Sequence, residues 1–162
     1  MIGGSDTPGV ITAPPLIPLS ALLLGLLVDW LLPLDIVSSL LSFWTRVIVG
    51  LLPVAAGVVL ELMAAHVFDR AGTNMRPWAP SLHLATGGIY RWMRNPMYVG
   101  FFTMLIGLAI IFGSDWTFVT AIPAALVIHY GVVLREERYL ERKFGENYRR
   151  YVASVPRYGW PF

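Results

Sequence analysis

Two short stretches of this 162-residue chain concentrate groups that can hold a charged, aromatic small molecule. The first runs Thr86-Gly87-Gly88-Ile89-Tyr90-Arg91-Trp92-Met93-Arg94-Asn95-Pro96-Met97-Tyr98-Val99-Gly100, and the second is Arg135-Glu136-Glu137. Asn95-Pro96 keeps the chain extended just before a helix, because the residue before a proline is pushed out of helical space. The N–H groups of such a helix start suit a carboxylate, and Arg94 brings a forked cation to the same place. Tyr90 and Tyr98 offer stacking faces with hydroxyl tips. Glu136 and Glu137 suit a ribose diol, an ammonium or a sulfonium. A zwitterionic ligand with an aromatic base would use all of these groups.

The elements that must position them are unusually apolar. Hydrophobic residues make up 56 % of the chain and charged ones 14 %, against roughly 25 % charged in ordinary globular proteins. A sphere of this size cannot hide that much apolar surface from water, so the bilayer is the natural sink. Crossing a hydrocarbon core of about 30 Å takes about 20 apolar residues in a helix, and in lipid every backbone polar group must pair within its segment. The sequence therefore predicts an all-α fold, an integral membrane bundle of about four transmembrane helices at 16–34, 44–68, 97–113 and 116–134. Pro33, Pro53 and Pro123 are candidate kinks. Pro33-Leu34-Asp35 and Gly113-Ser114-Asp115 are short turns, which predicts two antiparallel hairpins. The second hairpin alone brings the two chemical stretches to one end of the bundle.

The whole chain, 1–162, reads as one domain. Residues 1–15 hold Asp6 and three prolines but no Lys or Arg, so they lack the positive region of a secretory signal and read as a flexible lead-in. Residues 69–96 form a cytoplasmic connector with Pro77, Pro80 and Gly87-Gly88, and connectors of that length are more often functional than idle. Residues 135–162 form a cytoplasmic C-terminal segment. In it an amphipathic helix stops at Gly145, and a second short helix bearing Tyr148 and Tyr151 ends before Val155-Pro156. The plainer reading of that segment is a solvated tail lying on lipid headgroups.

Eleven of the twelve Lys and Arg residues fall in the connector or after the last predicted span, and only Arg46 lies at the other end. The positive-inside tendency then puts the site and both termini in the cytoplasm. Cysteine is absent and three histidines are scattered, which leaves no metal site and no thiolate nucleophile. Nothing in a net charge of +2 points to nucleic acid.

The run Gly88-Ile89-Tyr90-x-x-x-Arg94-Asn95-Pro96-x-Tyr98-x-Gly100, followed by Glu136-Glu137-x-x-Leu140-x-x-x-Phe144-Gly145-x-x-Tyr148-x-x-Tyr151-x-x-x-Val155-Pro156-Arg157, resembles the isoprenylcysteine carboxyl methyltransferase family and the related membrane phospholipid methyltransferases. Arg70-Ala71-Gly72-Thr73-Asn74 and Leu84-x-Thr86-Gly87 look like the same family's lead-in. The resemblance covers about residues 68–158, and R-N-P-M-Y is the form seen in many bacterial relatives, which implies a bacterial inner membrane as the expected location. Eukaryotic members acting on prenylated proteins have His at the position of Asn95. Asn keeps hydrogen bonding but cannot exchange a proton near neutral pH, so the cofactor carries over better than the prenylcysteine substrate.

The resemblance implies an S-adenosylmethionine-dependent methyltransferase, with S-adenosylhomocysteine as product. Leu84, Tyr90, Arg94, Asn95, Pro96, Tyr98, Gly100 and Glu137 would bind the cofactor. Glu136 and Arg94 would be catalytic, with Glu136 closest to the transfer site. The acceptor would be lipophilic, entering from the bilayer: the carboxylate of a prenylcysteine-like compound, a lipid amine or a small thiol. The competing expectations are a non-enzymatic membrane protein that keeps the pocket as a sensor or assembly partner, and a small transporter. The clustering of pocket groups on one membrane face speaks against the transporter.

Several residues stay open at this point. Glu61 is an ionisable residue inside the second predicted span, which marks a functional site by default, with a hydrogen-bonded glutamate at a helix contact as the bland alternative. Asp29 reads as structural. His66 reads as an interfacial anchor, His83 could touch the cofactor region, and His129 packs within the bundle or reaches the substrate. Arg157 either folds back on the pocket or meets a headgroup. The six tryptophans, Trp30, Trp44, Trp78, Trp92, Trp116 and Trp160, fall near predicted boundaries as an aromatic belt. Oligomeric state is open.

Overall fold

The computed structural model describes residues 6–76 and 79–159, so Pro77, Trp78 and Trp160 lie outside the described residues. Every regular element among the described residues is helical. Helix α1 spans Leu16–Leu31, α2 Ile36–Leu40, α3 Phe43–Ala71, α4 Pro96–Phe112 and α5 Asp115–Ile128. A π-helical turn, His129–Val133, joins α5 to α6, Leu134–Phe144, and α7 is Glu146–Ser154.

The helix ends follow local chemistry. Ser42 and Ser114 cap α3 and α5, each hydroxyl accepting from the amide three residues on, as N-cap serines do. Pro96 occupies the first turn of α4, where its missing N–H costs nothing. At the far end of α4 Gly113 adopts φ 67°, a left-handed cap that glycine takes freely. The Arg46 guanidinium sits so close there that a Cβ on Gly113 would strike it, and a cation suits the negative end of a helix.

Among the described residues, two helical runs are long and apolar enough to cross a membrane: α3, and the unbroken run Asp115–Phe144. Helix α3 does not stop at Phe68 but continues to Ala71, where Gly72 (φ 61°) ends it. The other run does not break at residue 134, because the charged α6 continues the same rod through the π turn. Helices α1 and α4 are apolar but shorter, at 16 and 17 residues, or about 24–26 Å at 1.5 Å per residue. Large apolar side chains face outward along α1, α3 and α5: Leu23, Leu52, Leu62 and Ile122 are each more than half exposed. A continuous apolar exterior of this kind suits lipid rather than water. Trp30, Trp44 and Trp92 are likewise strongly exposed.

The first expected hairpin does not form. Helix α1 packs along α5, and α3 packs along α4, giving the order α1–α5–α4–α3. The cause lies in the 32–42 crossover. The Asp115 carboxylate accepts the amides of Ile36 and Val37 at 2.8 and 3.1 Å, pinning α2 to the start of α5 and releasing the chain on the far side of α4. Asp29 supports the same end, accepting from the Ser114 hydroxyl and from the Trp116 amide, which fits its structural reading. The α1–α5 contact is close because Gly25 lies against the Thr117 backbone, and Thr120 donates to the Ala21 carbonyl at 2.7 Å.

The α3–α4 seam is closer still. Gly50 meets the Gly107 carbonyl, and Gly57 meets the Gly100 carbonyl and Met104, so near that no Cβ fits at either glycine. Small residues at such seams let antiparallel backbones approach, which is the main source of helix cohesion in lipid. The second expected hairpin is present: the Gly113–Asp115 turn sets α5 beside α4.

Candidate active site

Because α4 and α5 run antiparallel from a three-residue turn, the start of α4 and the start of α6 arrive at one end of the bundle. There Tyr98, one turn into α4, donates its hydroxyl to both oxygens of Glu136 at 2.8 and 2.9 Å. The next residue, Glu137, takes two guanidinium groups. Arg94 Nη1 lies 2.9 Å from Oε1, while Arg157 donates Nε to Oε1 at 2.9 Å and Nη2 to Oε2 at 2.8 Å. Arg94 and Glu137 are largely buried, with side chains 9 % and 16 % exposed.

Arg157 is brought in by backbone pairing. The amide of Arg94 donates to the Pro156 carbonyl at 3.0 Å, and the amide of Asn95 to the Arg157 carbonyl at 3.2 Å. The Asn95 side-chain amide donates to that same carbonyl at 3.2 Å. The N–H groups of residues 94 and 95 are thus used by the chain's own C-terminal segment. Arg94 and Glu137, both read as addressing a ligand, first satisfy each other. What Arg94 keeps in reserve is Nε, which is buried and has no hydrogen-bond partner among the described residues.

Arg94, Asn95, Tyr98, Glu136 and Glu137 line a hollow of about 820 Å³, counted out to its open mouth, and Arg157 stands outside its wall. Of the sequence-predicted residues, Leu84, Tyr90, Arg94, Asn95, Tyr98, Glu136 and Glu137 are in its wall, as is His83. Pro96 and Gly100 are not. Pro96 is fully buried behind the wall, and Gly100 faces α3, where a Cβ would stand 2.9 Å from Glu61 Oε1. His66 is exposed on α3. His129 pairs with the Tyr158 hydroxyl at 2.8 Å, away from the hollow.

Tyrosines from three elements close the rest. Tyr90, on the 3₁₀ turn Gly88–Arg91, is buried and edge-on to Phe68 of α3. Its carbonyl accepts the Tyr151 hydroxyl at 2.7 Å. Burial, together with the charge of Glu137, pushes the Tyr148 phenol up to about 12, so it remains a proton donor at neutral pH.

Residues 6–15, read from sequence as a flexible lead-in, make specific contacts in the structure. Asp6 meets Lys143 Nζ at 2.6 Å and accepts the Tyr139 hydroxyl at 3.0 Å. The Gly9 carbonyl accepts from Arg135 at 2.9 Å, Ile11 lies against Gly131, and Pro8 enters the wall of the hollow. Tyr139 also accepts the Ser81 amide at 3.1 Å, so one phenol ties lead-in, connector and α6 together. Sequence reasoning missed Pro8, Asp6 and Tyr139, since nothing local in the chain marks contacts 133 residues apart. For Tyr151 a signal existed: Tyr148 and Tyr151 sit at i, i+3 on one helix face.

Residues 45–147 match the family described as Phospholipid methyltransferase. The chain belongs to that family. Protein-S-isoprenylcysteine O-methyltransferase A of Arabidopsis thaliana is 30 % identical over 147 residues, covering 88 % of this chain and 72 % of the plant protein. Protein-S-isoprenylcysteine O-methyltransferase of Xenopus laevis is 35 % identical over 123 residues, 74 % of this chain. This chain spans 41 % of the length of that frog protein. A Haemophilus influenzae protein is 37 % identical over 62 residues, which are 98 % of its own length. No solved structure matches the chain. The matched region of this membrane methyltransferase family takes in α3, α4, α5 and α6, the helices that carry Tyr98, Glu136 and Glu137.

Proposed function

We propose that the chain is an S-adenosylmethionine-dependent methyltransferase of the membrane, acting on a lipophilic acceptor that enters from the bilayer. The acceptor classes compatible with this reading are the carboxylate of a prenylcysteine-like compound, a lipid amine and a small thiol. The observation that carries it is the convergence of Arg94, Tyr98, Glu136 and Glu137 in one hollow. The membrane frame is four spans, with α1 and α4 completed by their flanking residues, and with the hollow on the cytoplasmic side.

The residues fit the methyl donor. The buried, unpartnered Nε of Arg94 matches a carboxylate at hydrogen-bond range. The walls of Tyr90 and Tyr98 suit an aromatic base. Leu84 and Asn95 complete that wall, and Glu137 fixes Arg94. When bound, the donor supplies a sulfonium methyl: the S–CH3 bond breaks with its electron pair kept by sulfur, and the methyl bonds to the acceptor heteroatom. The chain contributes position, which is worth several kcal/mol when reacting atoms are pre-aligned, and a fixed electrostatic frame. A carboxylate acceptor needs no base. For an amine or thiol, Glu136 takes the proton, and the Tyr98 hydroxyl holds that carboxylate in place.

Transfer of label from tritiated methyl donor in detergent–lipid micelles tests this reading. The wild-type chain should label one of the three acceptor classes. Tyr98→Phe, which strips Glu136 of its donor, should lower kcat about 10- to 100-fold with intact helix content. Labelling of no class by the wild type, or unchanged turnover in Tyr98→Phe, would refute it.

A further inference from the structure

The chain enters the bundle beside the hollow, and the two halves of residues 6–14 are held there by different forces. Val10 packs on the buried cluster of Ile128, Val132 and Val133, and Pro14 is buried. Ile11 lies over Gly131 of the π turn, so closely that its Cδ1 would stand 2.5 Å from a Cβ there. Apolar burial against a continuous helical rod makes this half a fixed seat.

The other half is held from outside. Asp6 reaches Lys143 Nζ at 2.6 Å and accepts the Tyr139 hydroxyl at 3.0 Å. The Asp6 and Lys143 side chains are 58 % and 25 % exposed, and an ion pair so open to water contributes little. Between the halves Gly9 has φ 63°, with nothing within 4 Å of where a Cβ would stand. Its carbonyl accepts from Arg135 at 2.9 Å, so rotation about the Gly9 N–Cα bond swings residues 6–8 while the carbonyl stays with the seat. Glycine makes that rotation without the steric cost of a side chain.

The swinging half carries part of the site. Pro8 stands in the wall of the hollow, as do Tyr139 and Ser81, whose amide donates to the Tyr139 hydroxyl. The Asp6–Tyr139 contact therefore joins the N-terminal segment to the connector and to α6. In the same wall Tyr90, Asn95 and Tyr148 are buried, whereas Asn74, Met75 and His83 are exposed and mark the mouth.

We propose that residues 6–8 form a hinged lid over the hollow, swinging about Gly9 and latched shut by Asp6 on Tyr139 and Lys143. Closure keeps water from the bound ligand, and opening sets the rate at which ligand enters and leaves. The lid follows from the shape of the hollow, whichever ligand fills it. With a methyl donor bound, it gates donor entry and product release.

The chain has no cysteine, so Met97→Cys, in the wall of the hollow, reports access by its reaction rate with a bulky water-soluble maleimide. Adding Asp6→Ala should raise that rate about fivefold, since the closed state loses one exposed pair and one hydrogen bond. Glu146→Ala, which removes an exposed pair on α7, should leave the rate within about twofold. With Met97 restored, Asp6→Ala should speed both binding and release of S-adenosylhomocysteine about fivefold and change affinity less than about twofold, because a gate passes both directions alike. Joining Asp6→Cys to Lys143→Cys with a short bis-maleimide should slow release at least about tenfold relative to the unjoined double variant. Equal maleimide rates with and without Asp6→Ala would overturn the lid, as would a joined chain that releases ligand as fast as the unjoined one. A wild type that binds no S-adenosylhomocysteine would remove the methyltransferase reading alone, and the maleimide rates would still decide the lid.

Discussion

Glu137 carries two guanidinium groups of unequal burial: Arg94 is 9 % and Arg157 34 % exposed. Breaking a buried ion pair leaves an uncompensated charge and costs about 3–5 kcal/mol, whereas exposed pairs are worth about 0–1. Arg94→Ala should therefore weaken S-adenosylhomocysteine binding about 100-fold or more, and Arg157→Ala at most about fivefold. Titration calorimetry of both variants checks the ranking, and the double variant should fall short of the summed losses because both residues act through one carboxylate. At this scale the sequence was partly legible. Tyr98, Glu136 and Arg94 could be read because their chemistry is local and a short turn sets their partners. Arg157 could not be assigned, because its place depends on backbone pairing with residues 94 and 95, which no side-chain pattern reveals. Gly100, expected in the cofactor wall, lies outside the lining of the hollow, and its missing side chain makes room for the α3–α4 approach and Glu61.

Among the elements, the α3–α4 seam sets where the hollow lies. A Cβ at Gly57 would come within 2.6 Å of the Gly100 carbonyl, and backbone cannot yield as a flexible side chain does. Gly57→Ala should lower the detergent melting temperature by an overpacking cost of about 1–3 kcal/mol, and Gly57→Leu should abolish folding. Gly72→Ala is the control for glycine loss outside the seam, affecting only a left-handed cap with nothing near it. The N-terminal segment offers a second contrast. The Tyr139 hydroxyl is saturated: it donates to Asp6 and accepts from Ser81 and Lys143. Tyr139→Phe should weaken S-adenosylhomocysteine affinity about three- to tenfold, since the partly buried Ser81 amide loses its acceptor. Lys143→Ala, removing a partly exposed pair, should change it less than about threefold. Helix identities and the α4–α5 hairpin were readable from apolar run lengths and turn residues. The α1–α5 pairing was not, because it turns on Asp115 capping α2 across 79 residues, a contact with no local signature.

For the whole molecule, the charge asymmetry predicts orientation. Ten of the Lys and Arg residues beyond the α3 end or the α5 end cluster with the hollow, while Arg46 stands beside Gly113 at the opposite end. The chain has no cysteine, so single cysteines report side directly. In intact cells a membrane-impermeant maleimide should label Ser39→Cys and spare Arg149→Cys until the membrane is opened; the reverse pattern would invert the proposed topology. All of this serves one claim, that the Asn95–Tyr98 bend and the Glu136–Glu137 pair form a single donor site. Titration calorimetry of the detergent-solubilised chain with S-adenosylhomocysteine tests it most directly. The account predicts saturable binding at about one ligand per chain, abolished in Glu137→Ala while that variant keeps its helical circular dichroism. Absence of heat up to millimolar ligand in the wild type, or undiminished binding by Glu137→Ala, would contradict it.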